Sequence, residues 1–583
     1  MASTNGESLK SRRRPMEGAS LAGIAAAILW VLLCVRWFDA AAPWRPAALA
    51  ALPALALAVP VALLGLVWLR ARWGVLAGPS LGAAWGGLLL VLFLAFFFRL
   101  PIVTHGAAAA VTPDGALSGI VALHVRDGLE RLVFVPHVPY SGSLKSHLTA
   151  PLAALIDPAR AFALVSVLFY LGYVAGLHRL ALLVAGPRAA VLAGLYAAFS
   201  PPFLTRYSVS NDGNYVEVLA LGTWALWLAA RGTTETDHRP LLALATGWLL
   251  GLAFWCHILA VIYIAAVAAM IVLAARIRSA SLLAALTFGT ALGYVPGLLW
   301  NAAHGWLSFR YLVPGEARAG EAGLSVLVSD LGAKLWAMLV DGWPVLLGYD
   351  SGYGPALDGL LRAVGWLGVV AAAVATVRFA RRAFRERSWP LATLLLFAAL
   401  NVVVALLALP HVPGIPRYLL FLMSVLPVFL ADCFGTGWRR VVLLVLIVAG
   451  ALSSFAQVPG TLRKDARWRG FVAALQQEGV RWCYTDFHLA TPINFLSEEA
   501  VICSAKLGPV TTEYFFAYRE QVEAAPEAAF VAVNRTSAGK LGRRLDELGV
   551  SHERLDLMKP VLLRLSRKVD PEELFPGRTF PWR

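Results

Sequence analysis

The stretch "LAALPALALAVPVALLGLVWL", residues 49–69, carries no charged residue. A helix needs about 20 apolar residues to cross the roughly 30 Å hydrocarbon core of a bilayer. The stretch therefore reads as a membrane span. Comparable runs recur along the 583-residue chain, which is 59% hydrophobic with a mean hydropathy of +0.68. Soluble domains stop at about 45–50% apolar even with glycine counted. A polytopic, mainly α transmembrane bundle follows. The expected spans are 19–38, 46–68, 80–98, 159–177, 188–204, 215–230, 241–255, 257–275, 281–300, 359–377, 389–408, 418–434 and 439–456. The pair 241–275 is one long apolar run broken near "FWCHI".

The net charge of +15 raises a nucleic-acid reading, which the placement of the charge excludes. Lys10, Arg12, Arg13 and Arg14 precede the first span. Arg70 and Arg72, Arg179 and Arg188, Arg231 and Arg239, Arg276 and Arg278, Arg381 to Arg387, and Arg439 and Arg440 then fall in alternate short loops. The intervening short loops hold single arginines, Arg45, Arg206 and Arg417. Basic loops face the cytoplasm in membrane proteins. The N-terminal tail, 1–18, is expected inside, before a transmembrane domain over 19–456. Outer loops 99–158 and 301–358 and a C-terminal domain, 457–583, are expected outside. The first apolar run is too long for a signal peptide and lacks a small-residue cleavage site, so it is expected to be retained.

The tail after 457 alternates helix-like stretches ("GFVAALQQEGV", "AGKLGRRLDELGV") with strand-like ones ("RWCYTDF", "AVICSA", "AAFVAV", "PVLLRLS"). That alternation predicts a small α/β domain with a mostly parallel sheet. It contains neither GxGxxG nor a Walker A pattern. "NRT" at Asn534 fits a glycosylation acceptor. Cys34, Cys256 and Cys433 lie in or beside spans and read as inert core. Cys483 and Cys503 lie in the tail and can pair in an oxidising compartment.

The segment "VTPDGALSGIVALHVRDG", 111–128, places a carboxylate just outside the membrane. Thr112 suits the N-cap, Pro113 the first helical position and Gly128 the stop. Leu117, Ile120, Val121 and His124 recur at helical spacing. Asp114 sits in the first turn, where the helix dipole favours the ionised form. Such a carboxylate suits a general base or a cation ligand, and equally an ordinary helix start.

Further along, "HVPYSGSLKSHLTAP" makes a turn with Tyr140 and Lys145. His105, His124, His137 and His147 lack the spacing of a zinc site. "SPPFLTRYSVSNDGNYVEVLALG" clusters Arg206, Asn211, Asp212, Tyr215 and Glu217 at an outer turn, and His257 in "FWCHILAV" lies at the same level. Ionisable groups at span ends are costly and often functional, although "NDG" is also an ordinary turn. "DGWPVLLGYDSGYG" mixes Trp343, Tyr349 and Tyr353 with Asp341 and Asp350, as suits the headgroup level. Arg417 stands alone in a short outer loop, where an arginine suits a phosphate.

The ordered set "TPDGALSGIVALHVRDG … PYSGSLKSHLTAPLAAL", "NAAHG" and "RYLLFLMSVLPVFLA" resembles the GT-C glycosyltransferases. More narrowly, it is similar to the bacterial family-39-like group related to protein O-mannosyltransferases and lipid A aminoarabinose transferases. The resemblance covers residues 80–435 and, more loosely, the tail. It implies inverting transfer of a sugar from a polyprenyl-phosphate donor to an acceptor glycan, lipid or protein. The setting it implies is the outer face of a bacterial inner membrane. Asp114 matches the family's acidic residue of the first outer loop, which would deprotonate the acceptor hydroxyl. Arg417, Arg206 and Lys145 would offset the leaving phosphate, with Tyr140, Asp212, Tyr215, Glu217 and His257 around the substrate. The chain departs from the pattern at Gly115, where many relatives carry a second carboxylate, and at Lys145, where the group has glutamate. A divalent cation, Mg or Mn, would then fall to Asp114 with Asp212, and a second acidic group to Asp212 or Glu217.

Two other readings stand beside this one. A transporter or lipid flippase would show paired repeats and midplane ionisable groups, and no convincing repeat is visible. An inactive scaffold would keep the fold without the chemistry, which Gly115 permits.

Overall fold

The computed structural model describes residues 26–38, 80–210, 212–234, 239–275, 279–310, 331–350, 354–407, 415–507, 513–557 and 560–575. The tail 1–18, the expected span 46–68, Asn211 and Tyr353 lie outside the described residues. The chain is a multi-pass integral membrane protein, a bundle of apolar helices with a small sheet domain at its C-terminal end. Thirteen spans were expected. Among the described residues six helices are long and apolar enough to cross a membrane, or eight if each bent pair is one span.

The bundle opens with α1 (Ala26–Trp37) and α2 (Ser80–Phe97). Helix α3 (Pro113–Asp127), the strands β1 (Phe134–Val135) and β2 (Val138–Gly142) and helix α4 (Leu144–Ala153) follow. The next element, α5 (Pro158–Ala198), merges two expected spans. It bends sharply at Gly186, whose φ of 86° favours glycine, and Pro187 cannot donate the next hydrogen bond. His178 and Val191 both lie against Gly87 of α2. On a straight helix they would be about 20 Å apart. The two halves therefore fold back on each other.

Short α6 (Pro202–Tyr207) leads to α7 (Tyr215–Thr234) and α8 (Arg239–Cys256). His257 is extended and separates α8 from α9 (Val261–Ala275), so the long apolar run is two helices, as expected. Helix α8 packs on α10 (Ser279–Gly293) backbone to backbone. A Cβ at Gly247 or Gly251 would stand 2.1 or 2.2 Å from the carbonyls of Leu286 and Thr290, and one at Gly289 or Gly293 2.2 Å from those of Leu244 and Trp248. Two facing small-xxx-small pairs thus lock these helices, and nothing larger than glycine fits.

Two expected spans are broken. Region 281–300 becomes α10 plus α11 (Val295–Ala303), bent by 69°, and 418–434 becomes Pro416–Ser424 plus Leu426–Phe434, bent by 54°. Helices α12 (Pro355–Glu386) and α13 (Trp389–Leu407) match their expected spans. Helix α14 (Arg440–Gln477) runs straight through position 457, where the outer domain was expected to begin. At 38 residues it is about 57 Å long. It is bolted to the bundle above the last span. The Ala108 N–H donates to Asp465 Oδ1 at 2.7 Å, and Arg469 grips Asp157 with two bonds of 2.8 and 3.1 Å.

The C-terminal domain holds β3 (Trp482–Tyr484), α15 (Phe487–Leu496), β4 (Ile502–Ser504), α16 (Phe516–Ala524), β5 (Ala529–Ala532), α17 (Arg535–Glu547), β6 (His552–Asp556) and β7 (Val561–Leu565). The strand order is β4-β3-β5-β7-β6, with β3 parallel to β4 and β5 but β7 antiparallel to β5 and β6. The sheet is mixed rather than mostly parallel. The difference arises at β6, a charged edge strand ("HERLD") with no apolar alternation to announce it. A disulfide joins Cys483 to Cys503, register partners on β3 and β4, while Cys34, Cys256 and Cys433 are free and buried.

The domain is not hung on a linker. One apolar core runs from Ile120 and Val121 of α3 and Val167 of α5 to Ile493 and Phe495 of α15. A Cβ on Gly119 would stand 2.6 Å from the Phe495 ring, so glycine sets how closely α3 and α15 approach.

Candidate active site

Helix α3 begins as its sequence predicts. Thr112 is extended and its Oγ1 accepts from the Gly115 N–H at 3.0 Å, Pro113 follows, and Gly128 stops the helix at φ 74°. The rest of α3 is buried from Gly115 to Val125, yet Asp114 remains exposed. Protein nevertheless crowds its carboxylate. Burial, then the charge of Asp212, raises its pKa above the usual carboxylate value, against the opposing charges of Arg417, His488 and Arg206. Asp114 is thus accessible to solvent with Asp212, Arg417, His488 and Arg206 within electrostatic reach.

Asp212 is placed by the turn between α6 and α7. Gly213 (φ 66°) and Asn214 (φ 55°) both take left-handed backbone there. The Asn214 amide holds the turn down, donating to Ser141 Oγ at 3.0 Å, Gly142 O at 2.5 Å and Cys256 O at 3.1 Å. Asp212 thereby meets Arg206, whose Nη2 donates to Oδ2 at 2.6 Å. Asp212 is nearly buried, while the Arg206 side chain is 55% exposed. An aromatic floor lies beneath. Tyr215 packs against Tyr207 at 5.4 Å and His257 at 5.2 Å, and His257 against Tyr140 at 5.8 Å. His257 Nδ1 accepts from the Leu259 N–H at 3.2 Å, which gives that nitrogen to the helix break.

Arg417 closes the site from the broken span. Its guanidinium lies over the Tyr418 ring and donates to that hydroxyl at 3.1 Å. Its Nε is buried with no hydrogen-bond partner among the described residues.

Asp114, Arg206, Asp212 and Arg417 thus converge. Tyr140, Tyr215 and His257 form the floor. Lys145 and Glu217 are sealed from solvent. They pair at 2.8 Å with side chains 1% and 0% exposed, and Lys145 also donates to Ser166 Oγ at 3.2 Å and Ser210 O at 3.3 Å. The pair braces the Asp212 turn from behind, and in this conformation Lys145 meets no phosphate.

Two residues at the site escaped sequence reasoning. Lys464, on the upper half of α14, lies within electrostatic reach of Arg206. His488 of α15 lies within reach of Asp114. Both come from the tail: the continuation of α14 carries Lys464, and the docked C-terminal domain carries His488.

The donor set does not fit a divalent cation. Asp212 already serves Arg206, and no group of three His, Cys, Asp or Glu able to hold a metal occurs among the described residues. The histidines of the first loop scatter. His147 bonds Trp37 and Leu132, and His124 sits between Glu130 (2.5 Å) and Glu499 (2.9 Å), with Tyr518 donating to the same Glu499 oxygen at 2.5 Å.

This arrangement of bent spans, an acidic helix beside them and a docked sheet domain is the GT-C glycosyltransferase fold. ArnT from Cupriavidus metallidurans in its apo state superposes with a TM-score of 0.53 at 12% identity, over 82% of this chain and 98% of that one. The same protein bound to undecaprenyl phosphate gives 0.51 at 14%, over the same shares. The oligosaccharyltransferase of Archaeoglobus fulgidus, complexed with Zn and sulfate, is less similar, at 0.47 and 13% over 79% of this chain and 69% of that one. No protein-family model and no curated protein matches the chain significantly.

Proposed function

We propose that the protein transfers a sugar from a polyprenyl-phosphate donor to an acceptor hydroxyl, with inversion, on the outer face of a bacterial inner membrane. The observation that carries the reading is an exposed carboxylate at the start of α3, Asp114, with Arg417 and Arg206 within electrostatic reach and its pKa raised by burial and by Asp212. A general base works best when its pKa approaches the working pH. Asp114 takes the proton of the acceptor hydroxyl as that oxygen attacks the anomeric carbon. The bond to the lipid phosphate breaks on the opposite face, and the phosphate leaves with the electron pair. Arg417, with its unpaired Nε, and Arg206, with Lys464 behind it, neutralise the departing charge. A phosphate is already a fair leaving group, so no strong acid is required.

The one-sided basic loops support an inward N-terminal tail over 1–18 and a transmembrane domain over 19–456. The Cys483–Cys503 bridge supports an oxidising, extracytoplasmic setting for the domain over 457–583. The neighbour that binds undecaprenyl phosphate supports a lipid-linked donor.

The test is Asp114→Asn, assayed in membranes with a radiolabelled polyprenyl-phosphate sugar. Transfer should fall by about 10²–10⁴-fold while the thermal midpoint holds. In the wild type, transfer should decline with acid through a pKa above the usual carboxylate value. Undiminished transfer by the variant refutes the role of Asp114. Movement of substrate without a new glycosidic bond favours the transporter, and no transfer by the wild type the scaffold.

A further inference from the structure

The broken span that carries Arg417 is held at its break by hydroxyls from α5, α7 and α9. Pro427 has no N–H to give, so the Met423 carbonyl, its i−4 partner, is left without a helical bond. A carbonyl without a partner is costly inside an apolar bundle. The Tyr173 hydroxyl of α5 supplies the bond, donating to Met423 O at 2.7 Å. Ser424 holds the break from a second side. Its Oγ lies 2.7 Å from the Tyr263 hydroxyl of α9 and 2.8 Å from Thr223 Oγ1 of α7. Thr223 gives its own proton to the Leu219 carbonyl at 2.6 Å. Each hydroxyl has a single proton, so Tyr263 donates to Ser424 and Ser424 to Thr223. Tyr173, Thr223, Tyr263 and Ser424 are all fully buried. The break is coupled to Arg417 by successive tight turns, in which the N–H groups of Leu419, Leu422 and Val425 donate to the carbonyls of Pro416, Leu419 and Leu422. Within this piece Phe421 packs on Tyr263 and on Tyr215 of the site floor, each at 5.8 Å.

We propose that Tyr173, Tyr263 and Thr223 are positioning residues, which hold the break at Pro427 and so fix Arg417 where it meets the donor phosphate. The inference rests on the transferase reading, in which Arg417 offsets that phosphate, and adds what sets the arginine in place. A buried hydroxyl network specifies one arrangement of its helices, because a shifted one leaves polar groups unpaired. A guanidinium fixed before the donor arrives binds more tightly than one that must be ordered on binding. The three side chains are sealed from solvent, so they act on the phosphate through Arg417.

The experiment measures binding of two radiolabelled probes to the full-length protein in detergent: undecaprenyl phosphate, and undecaprenol, the same chain without the phosphate. Tyr173→Phe and Tyr263→Phe should each weaken undecaprenyl phosphate about ten-fold, as expected for one misaligned hydrogen bond to a charged group. Undecaprenol should stay within about two-fold of wild type, the scatter of sites that do not interact. Arg417→Gln should weaken undecaprenyl phosphate by itself, and adding Tyr263→Phe to it should cost less than about two-fold more, because the effect passes through the arginine. If both phenylalanine variants lose their thermal transition, Thr223→Val is read by the same criteria. A folded variant that binds both lipids as wild type does overturns the proposal. So does an equal loss for both lipids, or the full loss repeated on top of Arg417→Gln, since either marks a general loosening of the bundle. Unweakened binding by Arg417→Gln overturns it as well. In each case a wild type that prefers the phosphate leaves the lipid-linked donor standing. A wild type without that preference removes the donor reading and the proposal together.

Discussion

Deprotonating His124 should loosen the junction between α3 and the C-terminal domain. The ring lies at the last turn of α3, 11% exposed, between Glu130 at 2.5 Å and Glu499 at 2.9 Å, with the Tyr518 hydroxyl at 3.3 Å. Asp127 adds its charge to the same cluster through Glu499, and Arg126 binds Glu498 at 2.5 Å. Glu498 and Glu499 occupy left-handed backbone at φ 51° and 63°, a strained turn that directs both carboxylates at α3. Burial alone would depress the imidazolium, but the two carboxylates outweigh it and raise the pKa from 6.5 to about 9. A rise of that size corresponds to about 3 kcal/mol. A raised pKa means the folded state holds the proton more tightly. The contribution is therefore complete below pH 6.5 and is lost as pH rises through 9. In native-state amide exchange of 113–127 in nanodiscs, His124→Gln should be destabilised by about 3 kcal/mol at low pH. The gap to wild type should close above pH 9. A gap that stays constant across that window refutes the ion-pair account and leaves only packing.

Lys145→Met strands Glu217 as an unpaired buried charge and should cost about 3–5 kcal/mol. Lys145→Met with Glu217→Leu should recover most of it, read as the thermal midpoints of the two variants. Reducing the Cys483–Cys503 bridge, which closes 20 residues, should cost about 3 kcal/mol and speed proteolysis of 478–575. A bridge that is structural leaves donor binding unchanged under reductant.

Local chemistry was legible in the sequence and tertiary encounters were not. Thr112, Pro113 and Gly128 announce α3 because caps and stops act within one turn, and they bring Asp114 with them. The break at His257 was legible because a polar residue interrupts an apolar run. The bends inside 281–300 and 418–434 were not, since apolar residues continue through them and only packing shows the change of direction. Glu217 was marked as a costly ionisable residue at a span end and Lys145 as a turn residue that offsets a phosphate, but spacing carries no sign that they pair across α4 and α7. His488 and Lys464 had no local signal at all. They lie in a polar tail where such residues are common, and what marks them is which guanidinium the long α14 brings Lys464 near and which carboxylate the docked domain brings His488 near.

The unbroken helix α14 makes the height and rotation of the sheet domain a matter of helical phase. Each residue added to or removed from the rod below Asp465 would rotate everything above it by about 100° and shift it by about 1.5 Å. Arg469 would then be carried off its clasp on Asp157, and the sheet domain off its seat on α3. Side chains can drift along such a rod, but its residue count cannot.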